Sequence, residues 1–178
     1  MRKLLLAGAA GALAISTLAV SSYAGPEKIA YPADWATKYT LYGVVDRPDR
    51  NLVRFFYVNP DALAQAKAGQ PAPAGTILVM ADKKAKMGAD DKAVRDGDGR
   101  LVAEGDWTAV AIQAKGKGFG DDVPANIRNA DWQYAAFKAD GSRNPDAKYE
   151  ACFTCHKSRE TRGDYTFLFD KFLQDKPK

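Results

Sequence analysis

Histidine occurs once in the 178 residues, at position 156, and cysteine only twice, at positions 152 and 155. With no other Cys or His, the chain cannot complete a four-ligand zinc site of sulfur and imidazole. Nor can it bind one metal through two histidines. Methionine is also scarce: beyond Met1 there are Met80 and Met87 alone. Basic and acidic residues interleave without an arginine-rich block or basic stripe, which argues against nucleic acid as a partner. The net charge of +4 includes Arg2 and Lys3, and residues 1–24 hold no acid, so +2 remains after residue 24.

What the sequence does have begins at its N-terminus. Met1-Arg2-Lys3, the apolar stretch Leu4 to Val20 and Ser22-Tyr23-Ala24 form the three-part pattern of a secretory signal peptide, with cleavage expected after Ala24. The segment is too alanine-rich to anchor in a bilayer, and no later segment could span one. Residues 25–178 are therefore expected to be one exported, soluble domain with no membrane partner once the leader is removed. A chain of this length buries about two-thirds of its unfolded surface, enough for a core and a cofactor pocket.

The pattern after residue 24 reads as strands at Lys38–Val45, Leu52–Val58, Gly75–Met80, Asp106–Lys115 and Asp131–Lys138, rich in β-branched and aromatic residues. Five strands in succession predict an antiparallel sheet, and with the helices the fold class is α+β. Asn59-Pro60-Asp61 starts a short helix expected to run to Ala68 and to be stopped by Gly69. The polar stretch Ala81–Gly105 reads as a long loop or loose hairpin. Within it Asp96-Gly97-Asp98-Gly99 lacks the further ligands of a calcium loop and is a tight turn. Asn144-Pro145-Asp146 opens a helix near the C-terminus that runs into residues 152–156. The aromatic tail Tyr165 to Leu173 closes the domain as a further helix. There is no internal repeat.

Cys152-Phe153-Thr154-Cys155-His156 matches C-x-x-C-H, the attachment pattern of a c-type haem. Two thiols at this spacing on one helical turn can each form a thioether to one porphyrin, while the adjacent imidazole binds iron from the same side. The expected cofactor is thus one covalent haem c on Cys152 and Cys155, with His156 as proximal ligand. A thioredoxin-type redox pair would place the motif early in a parallel α/β fold, and a zinc half-site would need ligands the chain lacks.

Further segments fall in a definite order: Tyr31-Pro32-Ala33-Asp34-Trp35, Val53 through Pro60, Gly75-Thr76-Ile77-Leu78-Val79, Asp131-Trp132-Gln133-Tyr134, the haem motif and Gly163-Asp164-Tyr165-Thr166-Phe167. Through them the chain resembles the cytochrome P-460 and cytochrome c′-beta family over nearly its whole length after residue 24. The resemblance implies a β-sheet fold with helices, a haem at one edge of the sheet, a histidine proximal ligand and a homodimer. In members similar to the hydroxylamine-oxidising cytochrome, a lysine after the third strand is bonded to the porphyrin. Met80 stands there in this chain, and a thioether cannot make that amine bond. Only a shifted alignment would bring in Lys83 or Lys84. Cytochrome c′-beta lacks the cross-link and binds nitric oxide in a phenylalanine-lined pocket. Its counterparts here are sought among Phe55, Phe56, Phe119 and Phe137, and strand alternation admits only one of Phe55 and Phe56.

The sixth iron position is then open, filled by the sulfur of Met80 or Met87, or filled by lysine. Each methionine also reads as ordinary, Met80 as a core side chain and Met87 as a loop residue. Arg54, inside an apolar strand, needs an anion: a haem propionate or an ordinary carboxylate. Trp107, Trp132 and Tyr134 read as sheet core and pocket walls. The leading expectation is a periplasmic monohaem cytochrome with five-coordinate iron that binds a small diatomic ligand such as nitric oxide. A His/Met electron-transfer cytochrome, exchanging electrons with an unknown partner protein, is the first alternative. A hydroxylamine-oxidising enzyme with a lysine–haem cross-link is the second.

Overall fold

A computed structural model describes residues 25–176 of the protein. The expected leader, residues 1–24, lies outside the described residues. Five strands, β1 (Thr40–Arg47), β2 (Leu52–Val58), β3 (Ile77–Ala85), β4 (Ala103–Lys115) and β5 (Trp132–Lys138), accompany four helices, α1 (Trp35–Lys38), α2 (Pro60–Gln65), α3 (Tyr149–Lys157) and α4 (Phe169–Asp175). The strands form one antiparallel meander in chain order. The class is α+β, with α3 and α4 near the C-terminus. Among the described residues no helix is long and apolar enough to cross a membrane.

Because successive side chains of a strand point to opposite faces, the sheet sorts its residues into two layers. One face carries Val79, Ala81, Val110, Ile112, Ala135 and Phe137, and the N-terminal segment closes it with Ile29 and Trp35. On the other face the register aligns Phe56 with Met80 and Met80 with Ala111, and beside that row Val58, Leu78, Gln113 and Tyr134. Helices α2 and α4 cover part of this second face through Ala62 and Phe169, packed on Val58, Leu78 and Trp132. Phe153 of α3 meets Tyr134 of β5 edge to face, with ring centres 4.8 Å apart. The remainder of this face lines a cavity.

Four expected elements differ in extent from those observed; one is the closing helix expected from Tyr165, which starts only at Phe169 because the chain is left-handed at 163–165. Of the long loop or loose hairpin expected at residues 81–105, the hairpin is what forms, and it is more regular than expected, because β3 continues to Ala85 and β4 starts at Ala103. The polar residues that suggested a loop are accommodated in the sheet: Asp82 pairs with Arg54 on the neighbouring strand, and the Lys83 ammonium lies 4.6 Å from the Trp107 ring centre. Gly105, at φ 72°, sits where the register slips on either side of Lys83, a glycine-dependent bulge. Beyond it, the turn at 96–99 forms as expected, with Asp96 Oδ1 accepting from the amides of Asp98 and Arg100.

Helix α2 ends at Gln65, short of Ala68, because the chain turns extended at Ala66 and the Gly69 amide donates to Asp170 at the start of α4. Helix α3 starts at Tyr149 and not at Asn144-Pro145-Asp146. There the Asn144 side chain accepts from the Asp146 amide, so a local turn replaces a helix start.

Two expected outcomes follow from this packing. A Cβ on Gly120 would lie inside the backbone carbonyl of Ala130, so Gly120→Ala should lower the stability by about 2–3 kcal/mol, read from the urea midpoint. Asp46 accepts from the Arg100 guanidinium and the Leu101 amide, and Arg100 beside it holds its carboxyl below the usual range. A depressed carboxylate adds stability above its unfolded pKa of about 4 and loses it as pH falls through the folded value. Asp46→Asn should therefore cost about 1 kcal/mol at pH 7. That difference should shrink as pH falls through the depressed folded-state value in paired denaturation curves.

Candidate haem site

Helix α3 places the whole C-x-x-C-H motif. Phe153 is its buried anchor, packed with Val123, Tyr134 and Tyr149, and His156 and Lys157 occupy the last turn, where positive or polar groups suit the helix dipole. With Phe153 turned into the core, Cys152, Cys155 and His156 line one cavity of about 520 Å³. Its opposite wall is the sheet face, with Phe56, Leu78, Met80, Ala111 and Gln113, and the segment Thr166–Leu168 closes one side. The lining is mostly apolar, and its volume falls within the range of cofactor pockets. The two cysteines are not joined to each other by a disulfide. Burial pushes the Cys152 thiol up, and the neighbouring Cys155 adds to this.

The His156 imidazole is fixed on three sides. Its Nδ1 lies 2.7 Å from the Tyr165 carbonyl oxygen. A carbonyl can only accept, so Nδ1 carries the proton and Nε2 is left with a lone pair. Tyr134 and Phe167 flank the ring, with centroids 4.8 and 5.0 Å away. Burial lowers the pKa of the imidazole, opposed by the bond to Tyr165, and so favours the neutral form a metal requires.

The carbonyl itself is positioned by an unusual backbone. Gly163, Asp164 and Tyr165 have φ of 106°, 49° and 61°, and left-handed conformations at the two non-glycine residues are unfavourable. Two contacts hold them: Asp164 Oδ2 accepts from Lys115 Nζ at 2.7 Å and from the Ala72 amide at 2.8 Å. The Tyr165 hydroxyl donates to Glu160, and its pKa is pushed up to about 12 by burial first and that carboxylate second, so it stays a donor. Gln113 Nε2 also donates to the Tyr165 carbonyl, at 3.0 Å. Asn129 Nδ2 ties the Tyr134 hydroxyl to the Phe153 carbonyl.

Of the expected distal residues, Phe56 and Met80 line the cavity. Phe55 points to the opposite face, edge-on to Trp107 at 5.4 Å, as alternation requires. Phe119 and Phe137 belong to the core cluster of that opposite face and are not cavity walls. Trp107 lies with them, Trp132 is buried under α4, and only Tyr134 of the three reaches the site. Arg54 lines the cavity, but its anion is the ordinary carboxylate of Asp82, engaged in two bonds of 2.7 and 2.8 Å. Lys83 rests on Trp107, Lys84 is exposed on the sheet, and Met87 is exposed in the hairpin. None of these three lines the cavity.

Sequence reasoning passed over Gln113, Lys115, Asp164 and Phe167 as working residues. Gln113 carried a usable signal, a lone amide in the apolar run of β4, of the same kind that drew attention to Arg54.

The donor set suits a haem. Among the described residues no cluster of three or more His, Cys, Asp and Glu could hold a bare metal ion. One imidazole, two thiols on the same helix and a broad apolar cavity are what a porphyrin-held iron needs from its protein. The loop behind the imidazole is equally open to test. Asp164→Ala should cost about 3 kcal/mol by leaving Lys115 poorly partnered and the left-handed turn unheld, whereas Lys115→Met should cost less; chemical denaturation of both variants checks this.

Comparison with known families agrees with the site. The family model described as Cytochrome P460 matches residues 32–168, a span that includes every strand and the haem motif. A search of curated proteins found no match. The chain belongs to the cytochrome P460 family, haem-binding cytochromes.

Proposed function

We propose that the protein is a periplasmic monohaem cytochrome whose haem is bonded through Cys152 and Cys155, ligated by His156, and open on its other side to a small diatomic ligand such as nitric oxide. Bound haem supplies an iron centre that alternates between ferric and ferrous states and takes a ligand at its free position. The chain's part is to hold the imidazole as a neutral Nε2 donor, through Tyr165, and to keep the cavity apolar. The observation that carries the reading is the composition of the cavity wall: Phe56, Leu78, Met80 and Ala111 face it, and among the described residues no lysine lines it. Arg47 and Arg54 are the cations there, and a guanidinium does not lose its proton to become a ligand. Export of the chain and a homodimeric assembly go with this proposal.

Met80 supports the second reading, an electron-transfer cytochrome with a methionine sulfur on iron, because it lines the same cavity as His156. The cross-linked hydroxylamine-oxidising enzyme finds less support, with Lys83 held against Trp107 and Lys84 exposed on the strand.

Optical spectra of the oxidised and reduced protein, with and without nitric oxide and carbon monoxide, separate these readings. A high-spin ferrous spectrum that shifts on adding either gas, in wild type and Met80→Ala alike, is the expected result. A low-spin spectrum with a sulfur-to-iron charge-transfer band that Met80→Ala abolishes would establish the electron carrier instead. Mass spectrometry of the digested haem peptide should find two thioether bonds and no third link. Material from cells able to mature cytochromes that stays colourless, with both thiols open to alkylation, would overturn the haem assignment itself.

A further inference from the structure

Thr166 and Phe167 line two cavities at once. On one side is the apolar cavity with His156, and on the other a polar cleft of about 330 Å³ that is also lined by Arg159, Arg162, Asp170 and Lys171. One aromatic ring therefore separates the candidate iron ligand from a cationic surface. Phe167 is 44% exposed while its ring stands edge-on to His156 at 5.0 Å, and the Arg159 guanidinium lies 5.4 Å from the same ring. The other large exposed apolar side chains, Leu41 and Met87, line neither cavity.

The charge of the cleft is lopsided. Three cations face one carboxylate, and Asp170 is already engaged by the Gly69 amide and Gln174. Lys171 pairs with Asp175 in solvent. Arg159 and Arg162 have no carboxylate within 4.0 Å among the described residues. A small apolar centre flanked by two arginines without a carboxylate partner among the described residues matches the footprint of weak, charge-steered redox encounters.

We propose that this cleft docks an acidic redox protein, which delivers one electron to the iron through the Phe167–His156 contact. The partner's centre is oxidised by one electron as ferric iron becomes ferrous, and no bond or proton is exchanged. The proposal rests on His156 being the haem ligand. It gives a ligand-binding haem the means of returning to its ferrous state from the side away from the sheet wall of Phe56 and Met80.

The test uses the haem-loaded full protein and reduced plant-type ferredoxin, a strongly acidic iron–sulfur protein, as the probe donor. In stopped-flow mixing at low salt, the double variant Arg159→Glu/Arg162→Glu should slow second-order reduction by about 10–100-fold. The gap should close toward 1 M salt, where charges are screened beyond about 3 Å. Calorimetric titration with oxidised ferredoxin should show binding weakened by a similar factor, a readout independent of electron transfer. Arg159→Lys/Arg162→Lys should retain most of the rate.

Unchanged rates and unchanged salt dependence in a charge-reversed variant with the wild-type spectrum would place docking elsewhere and overturn the proposal. A shifted reduction potential with the salt dependence intact would also overturn it, assigning the arginines to the haem carboxylates. Failure of the wild type to take up haem would bring down the underlying assignment, and the proposal with it.

Discussion

The hydrogen bond from His156 Nδ1 to the Tyr165 carbonyl decides which nitrogen of the single imidazole is free, and much of the C-terminal third is arranged to hold that oxygen in place. Tyr165 sits at the end of three consecutive positive-φ residues, a conformation that the local sequence alone would not keep. It persists because Lys115 of β4 and the Ala72 amide both bind Asp164, while Gln113, two residues before Lys115, donates to the same carbonyl. One strand therefore supplies the cavity wall and also the contacts behind the imidazole. The sheet and the ligand cannot move independently.

The sheet's two faces do different work. The face under Trp35 is an ordinary core, filled by Val79, Ala81, Val110 and Ile112, and its burial stabilises the fold by removing apolar surface from water. The face toward α3 is incompletely covered: α2 and α4 close one part, and the remainder is the cavity. Helix α3 is attached to the sheet chiefly through Phe153 against Tyr134, and Tyr134 is itself hydrogen-bonded by buried Asn129. The same tyrosine flanks His156, so the anchor of the helix and the wall of the imidazole are one side chain.

The attachment motif was legible because its chemistry is local. Five residues on one helix carry it, and the helix forms where the sequence needs it even though its start is shifted from Asn144 to Tyr149. The five strands were legible from residue type, and alternation correctly divided Phe55 from Phe56. What could not be read was decided between strands. Asp82 looks like a loop residue until Arg54 is found opposite it; Phe137 qualifies as a pocket residue until the register assigns it to the other face, and Phe119 until the β4–β5 connection packs it there. The left-handed turn at 163–165 was not legible, since Tyr165 carries no preference for that region and its aromatic neighbours suggest a helix beginning there.

The Arg54–Asp82 pair bears on which ligands the cavity can admit. An ion pair at the edge of an apolar cavity is a poor source of stability, since desolvating both charges offsets much of their attraction. Its two parallel bonds engage Arg54 Nε and Nη2 and both Asp82 oxygens, and Arg47, the other cation lining the cavity, is held by both oxygens of Asp49. Asp82 is thereby kept from acting as a carboxylate ligand, and Arg54 from drawing an anion into the site as a free cation would. A neutral molecule small enough to lie against Phe56 and Met80 meets no such penalty, and that asymmetry supports the proposed diatomic ligand over an anionic substrate.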